Sequence, residues 1–399
     1  MDMKSVNHSE LKQVFDLHFE SKKPLFIHGT TGIGKSDTVK GESERIANER
    51  DREFVEWHNL SDQEKDGLSD RIEDVFVLFD IRLASYDPSD IQGIPSLDED
   101  VLRFMPPRWV DAICSDGFQG VVFLDEANLA PPLVQSALYQ LVLDRKVGSR
   151  RISDDVYVVA AGNREGKDRA NIHQMAAPLA DRFGHVELEK PEAGDPDGSG
   201  GEWTEWALEN DIHEYVLSFL FSGYGEEYLF TFDENDDNYG GTHSFATPRS
   251  WETVSDLLEE DATPEDAGQV ASIWVGDGVG TQFEAFLEHR LDADIEEYLA
   301  NPEKGADLAD QPFDKSSAIM TGIAAEFKDN PEESLPQIVK LTHHITEDSM
   351  AVFVLRACRQ YNSEAFIDLL ADVDKRKQLD GWDENVWKDV SENVSTHFM

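Results

Sequence analysis

The stretch Gly29-Thr30-Thr31-Gly32-Ile33-Gly34-Lys35-Ser36 constrains this chain more than any other, because it fits the pattern G-x-x-x-x-G-K-[ST]. An apolar run, Leu25-Phe26-Ile27, comes just before it. A polar, proline-free stretch from Asp37 to Arg50 follows. Buried strand, glycine-rich turn and helix form the setting that such a loop requires. The glycines let the backbone wrap closely and aim N–H groups at phosphate oxygens. The helix N-terminus adds its partial positive charge. Lys35 is placed to reach the β- and γ-phosphates and Ser36 to ligate Mg²⁺. The alternative is a glycine-rich turn between strand and helix that binds nothing.

A second signal lies about 90 residues later. In Gly120-Val121-Val122-Phe123-Leu124-Asp125-Glu126 an apolar run ends in two acids, which puts both carboxylates at the C-terminal end of a buried strand. Ligands of open α/β sheets bind at that end. Asp125 is placed to hold Mg²⁺ through water, and Glu126 to polarise an attacking water. Further buried strands are expected at Val75 to Ile81 and Val156 to Ala161, both nearly continuous in apolar residues. The second ends at Gly162-Asn163-Arg164, so Asn163 is a polar side chain at a strand's carboxyl end.

Charge sets a different limit. The 399 residues include 35 basic and 82 acidic side chains, a net charge of −47. The acid is spread along the whole chain, which fits adaptation to a salt-rich solvent rather than an interaction tail. Self-repulsion of this size destabilises a compact state at low salt. At 1 M salt the Debye length falls to roughly 3 Å and screens it. The basic footprint of a nucleic-acid partner is absent. Cys114 and Cys358 are far apart and fit two inert thiols in a reducing compartment. There is no apolar signal region at Met1 to Asn7 and no run of about 18 apolar residues. A cytoplasmic protein is expected.

Along the chain, Leu11, Val14, Phe15, Leu17 and Phe19 form a helical stripe expected to pack beside the first strand. Phe54 to Trp57 fits a short strand, and the polar stretch from Ser61 to Asp74 reads as a loop. Tyr86 to Pro107, with Val101 to Met105 inside it, fits either a small hairpin or a surface loop. Arg145 to Asp155 fits a hairpin turning at Gly148. A short strand is expected at Val186 to Leu188, and Pro191 to Gly201 reads as a linker. Beyond it the chain looks helical. Thr247 can cap a helix with Pro248 in its first position, which projects Arg249 from the first turn. His343-His344 has no further ligands nearby in sequence.

Taken in order, Gly29 to Ser36, Val121 to Asn128, Asn163, Asp181-Arg182-Phe183 and Thr247-Pro248-Arg249-Ser250-Trp251 resemble an AAA+ ATPase. Asp87 to Pro95 and Ala160 to Glu165 are similar to its MoxR-like branch, near the dynein-related group. The likeness is specific from about residue 22 to 258 and faint beyond. It implies an α/β P-loop core, a parallel five-stranded sheet between helices, over residues 1–190. It further implies a linker at 191–201, a helical lid at 202–265 and a helical C-terminal extension at 266–399.

The cofactors implied are ATP and Mg²⁺. Residues Gly29 to Ser36, with Asp37, match the Walker A nucleotide-binding segment, and Ser36 and Asp125 match the metal-holding pair. Glu126 completes Walker B, Asn163 matches sensor 1, Arg182 the arginine finger and Arg249 sensor 2. The implied activity is ATP hydrolysis that remodels or assembles a protein partner. The implied assembly is a homo-oligomeric ring, usually a hexamer, acting in some members with a von Willebrand factor A-type partner. The two hairpins match insertions that face the pore or substrate. The stretch from about Glu53 to Asp74 departs from the family pattern. Two rival readings are a nucleotide-gated scaffold without useful turnover, and a nucleic-acid motor using Lys146, Arg150 and Arg151.

Overall fold

Near-continuous apolar runs need cover on both faces, and parallel strands need long crossovers; together they give a sheet sandwiched by helices. The computed structural model describes residues 3–98, 101–168, 172–193, 201–222, 225–233, 243–259, 262–291, 293–346, 348–371, 373–388 and 390–391. The chain divides into two compact units, residues 1–190 and 191–399.

The first unit carries β1 (Lys4–Val6), β2 (Leu25–His28), β3 (Glu53–Glu56), β4 (Val75–Arg82), β5 (Ile94–Asp98), β6 (Val101–Met105), β7 (Gly120–Asp125), β8 (Lys146–Val147), β9 (Arg150–Arg151), β10 (Val156–Gly162) and β11 (Gly184–Leu188). Seven of them form one parallel sheet in the order β1-β11-β2-β10-β7-β4-β3. The expected five strands occupy its middle. The sheet is wider than the five strands of the resemblance because two short strands add to its edges, β3 and the three-residue β1, which is too short for a pattern to show. The strand expected at Phe54 to Trp57 is β3, shifted by one residue.

Three helices of this unit matter most. They are α1 (His8–Ser21), α2 (Lys35–Glu49) and α3 (Asp62–Gly67). Leu11, Phe15 and Phe19 of α1 are buried, spaced four apart on one face, while Leu17 is exposed. Phe15 and Phe19 set their edges against Tyr157 of β10, at 5.2 and 5.6 Å between ring centres. The opposite face of the sheet is filled by Phe79, Val122, Leu124, Val158 and their neighbours. The reading of Ser61 to Asp74 as a loop is corrected here, since α3 and a 3₁₀ turn, Leu68–Arg71, fill most of it. The helix starts on a capping box, with Ser61 and Glu64 bonding each other's backbone N–H. That local signal outweighs the polar composition.

Within the stretch from Tyr86 to Pro107 a short helix, Ser89–Gln92, precedes the antiparallel pair β5–β6, and β8–β9 turns at Gly148, whose φ is +60°. In the second unit every strand is absent among the described residues. Its helices share one core, in which Phe219 meets Phe283 at 5.2 Å and Phe221 meets Phe353 at 5.6 Å. Trp251 is fully buried there and donates its indole N–H to the Tyr228 carbonyl at 2.8 Å. Most of the segment expected as a linker, residues 194–200, lies outside the described residues.

Candidate active site

Register brings the chemistry-bearing residues to one edge of the sheet. Gly162 of β10 pairs with His28 of β2, Leu124 of β7 with Ala160, and Arg82 of β4 with Asp125. The segments leaving β2, β7 and β10 therefore emerge side by side, carrying Gly29, Glu126 and Asn163. The Gly29 N–H donates to the Gly162 carbonyl at 3.1 Å and the Ala127 N–H to the Ala161 carbonyl at 2.8 Å, which extends the ladder past the strand ends.

The loop from Gly29 to Ser36 wraps tightly. Gly32 and Gly34 hold φ at +76° and +86°, a region open to glycine at no steric cost. Gly34 is the N-cap of α2 and offers no side chain, so the helix end points bare backbone N–H groups at the loop's interior. Thr30 and Ile33 are buried, while Thr31 and Asp37 face solvent. The Lys35 ammonium donates to the carbonyls of Gly29 and Thr30 at 2.7 and 2.6 Å, so it lies across the loop it belongs to.

Ser36 and Asp125 are joined directly, with the Ser36 hydroxyl donating to Asp125 Oδ2 at 3.0 Å. Asp125 Oδ1 accepts the Glu126 N–H at 2.8 Å. Glu126 itself sits at φ +52°, a left-handed backbone rare for a side chain of its kind, which turns the chain sharply off the end of β7. The set Ser36, Asp125 and Glu126 consists of hard oxygen donors in partial burial, the chemistry Mg²⁺ takes when phosphates and waters complete its shell.

Three residues that bear on this site were not singled out from the sequence. Asp80, near the end of β4, has a buried Oδ1 with no hydrogen-bond partner. Burial, and then the negative charge of Asp125, pushes its carboxyl above the usual range. Its trace in the sequence is the single acid that interrupts Val75 to Ile81. Asn128 forms a two-way clamp on Asn163, donating to its carbonyl at 2.7 Å and accepting its N–H at 3.1 Å. A Cβ on Gly162 would meet the Asn128 Oδ1 at 2.4 Å, so the clamp needs glycine there. His8, in the first turn of α1, adds a third contact by donating Nε2–H to the Ile33 carbonyl at 2.9 Å.

Arg182 is about half exposed and pairs with its neighbour Asp181 at 3.1 Å. Arg249 belongs to the second unit. Thr247 caps its helix, Pro248–Leu257, through the Ser250 N–H, and Arg249 is exposed in the first turn. Of the sequence-derived set, the loop, Asp125, Glu126 and Asn163 are gathered at one sheet edge.

No protein-family model matches the chain, and no curated protein matches it significantly. Solved structures give distant likenesses. A Thermotoga maritima RuvB mutant matches at 14% identity and a TM-score of 0.31, over 77% of this chain and 84% of that one. NtrX from Brucella abortus in complex with ADP matches at 11% and 0.29, over 97% and 68%. AMPPCP-bound DnaA from Aquifex aeolicus matches at 11% and 0.23, over 97% and 92%.

Proposed function

We propose that this chain is an ATP-hydrolysing AAA+ protein of the MoxR-like branch that remodels or assembles a protein partner. The observation that carries the reading is the hydrogen bond from Ser36 to Asp125. It joins the phosphate loop to the strand-end acid, two motifs found independently in the sequence, at the carboxyl edge of a parallel sheet. Mg²⁺ held by Ser36 and Asp125 would offset the charge of the β- and γ-phosphates. Lys35 swings from the loop carbonyls to the same phosphates. Glu126 accepts a proton from the attacking water, and Asn163, held by Asn128, orients that water. Arg182 serves a neighbouring subunit's phosphate site in a homo-oligomeric ring, a hexamer in the family's usual form, and Arg249 reports from the helical lid. The chain works in a salt-rich cytoplasm, with a von Willebrand factor A-type protein as one class of partner.

A nucleic-acid motor is the weaker alternative. Of the basic cluster on β8–β9, Arg150 pairs with Asp111 and Arg151 with Asp154, which leaves little unpaired charge for a phosphate backbone. Among the described residues no helix is long and apolar enough to cross a membrane.

The test is phosphate release with Mg²⁺ and ATP at high salt, with fluorescent-nucleotide titration beside it. Lys35→Ala is expected to lose nucleotide affinity. Glu126→Gln is expected to keep it and lose turnover by about 10²-fold or more, the scale of a general base. Unchanged affinity in the first and unchanged turnover in the second would end the reading. Recovered activity on mixing Arg182→Ala with Lys35→Ala protein would place the arginine across an interface. A dead mixture that still co-assembles would refute that.

A further inference from the structure

The strand that enters the phosphate loop and the strand that leaves the Arg182 turn are neighbours, and a pair of histidines bridges them. His28 is the last residue of β2, immediately before Gly29. His185 is the second residue of β11. Their rings meet through His28 Nε2 and His185 Nδ1 at 2.9 Å. On its far side His185 Nε2 lies 2.8 Å from the Ala180 carbonyl.

Chemistry fixes the direction of this chain of bonds. A carbonyl only accepts, so His185 Nε2 carries hydrogen. In a neutral ring its Nδ1 is then the acceptor, and His28 Nε2 must donate. With both rings neutral, each is therefore the Nε2–H tautomer. Burial, then the facing His185 and the Lys35 charge, hold His28 neutral, with its pKa lowered to about 4.

The far end of the chain is the turn that carries Arg182. The Ala180 oxygen also accepts the Phe183 N–H at 3.1 Å, which closes the turn around Arg182. Phe183 is buried and sets its edge on Phe26 at 5.6 Å. Phe26 in turn stacks on both histidines, at 4.3 Å from His28 and 5.6 Å from His185. The rings cannot slip sideways without opening this stack. At the near end, Gly29 is one of the two carbonyls that hold Lys35.

We propose that His28 and His185 are a positioning pair that couples the state of the phosphate loop to the turn bearing Arg182. This rests on the nucleotide reading of the loop given above. When Lys35 leaves the Gly29 and Thr30 carbonyls for phosphate, His28 moves with Gly29, and the hydrogen-bonded pair carries that displacement to the Ala180 oxygen. The bridge orients the turn, and no proton is transferred along it.

The test reads the far histidine while acting at the near site. In histidine-¹⁵N-labelled full-length protein, both residues are expected to show Nε2–H tautomers, and addition of Mg²⁺ with a non-hydrolysable ATP analogue is expected to shift the His185 signals. In His28→Phe, which keeps the ring and removes the donor, that shift is expected to vanish. Turnover is expected to fall about 10- to 100-fold with nucleotide affinity within about twofold, as for a catalytic group misplaced by about 1 Å. His28→Gln, which keeps an N–H at similar reach, is expected to recover most of the rate.

An unmoved His185 in wild-type protein that binds the analogue would overturn the coupling alone. Wild-type turnover in a folded His28→Phe variant would do the same, as would lost nucleotide affinity in it. If wild-type protein binds no nucleotide, the functional reading fails and the coupling with it. The wild-type spectra need no variant to fold.

Discussion

Asn128 and Asn163 hold each other through two opposed hydrogen bonds, side chain to backbone, just past the ends of the neighbouring strands β7 and β10. One bond holds the Asn163 N–H and the other its carbonyl, so Asn128 fixes the backbone from which the Asn163 side chain leaves. Asn128→Ala removes both bonds and is expected to lower turnover about 10-fold or more, with nucleotide affinity retained, as for a small misplacement near reacting atoms. Steady-state phosphate release beside nucleotide titration checks it. Equal loss in both measurements would make the clamp a folding element only.

Asp80 is expected to cost stability where it stands. Its folded-state pKa lies above the unfolded value, so at neutral pH the unfolded chain holds the charge more readily, and that penalty fades as pH falls. Asp80→Asn removes the charge and supplies a donor facing Asp125. The variant is expected to gain about 1 kcal/mol, seen as a melting temperature higher by about 2–4 °C in buffer with a metal chelator. A lower melting temperature would show that the charge is favourably placed.

His28 makes the opposite linkage. It is a base whose folded pKa, about 4, lies below its ordinary value of 6.5. Between those values the unfolded chain binds the extra proton, so the stability that neutral His28 confers is present above about pH 6.5 and is lost as pH falls toward about 4. Compared with His28→Phe, the parent is expected to lose about 1–3 kcal/mol more over this window. Paired denaturant curves at several pH values measure it, and parallel pH profiles would contradict it.

The net charge of −47 predicts that the fold depends on salt. The melting temperature is expected to rise steadily from about 0.1 M to about 3 M KCl as the screening length shortens. Circular dichroism melts across that range test it. A melting temperature that does not rise would remove the salt-rich cytoplasm from the proposal.

What the sequence reveals here is what sits close together along the chain. Gly29 to Ser36 is one contiguous pattern, and Val121 to Glu126 is another, so both could be placed on their elements and paired by their spacing. Asn128, Asp80, His28 and His185 act through contacts made only after strand order is set. His28 and His185 are 157 positions apart. Nothing in either local stretch says that β11 lies beside β2. The α3 segment failed for a different reason. Its polar composition masks a four-residue cap, Ser61 to Glu64, which was present in the sequence and decided the structure. Leu17 belonged to the apolar stripe of α1 by composition but not by angle, and it faces solvent.

Lys35 closes on two carbonyls of its own loop. Phosphate entering the loop would therefore exchange two charge-assisted hydrogen bonds to neutral carbonyls for contacts to charged oxygens, instead of creating contacts where none existed. The gain on association is then a difference, reduced by what the two carbonyls already supply. Lys35 thus has a resting place within its own loop.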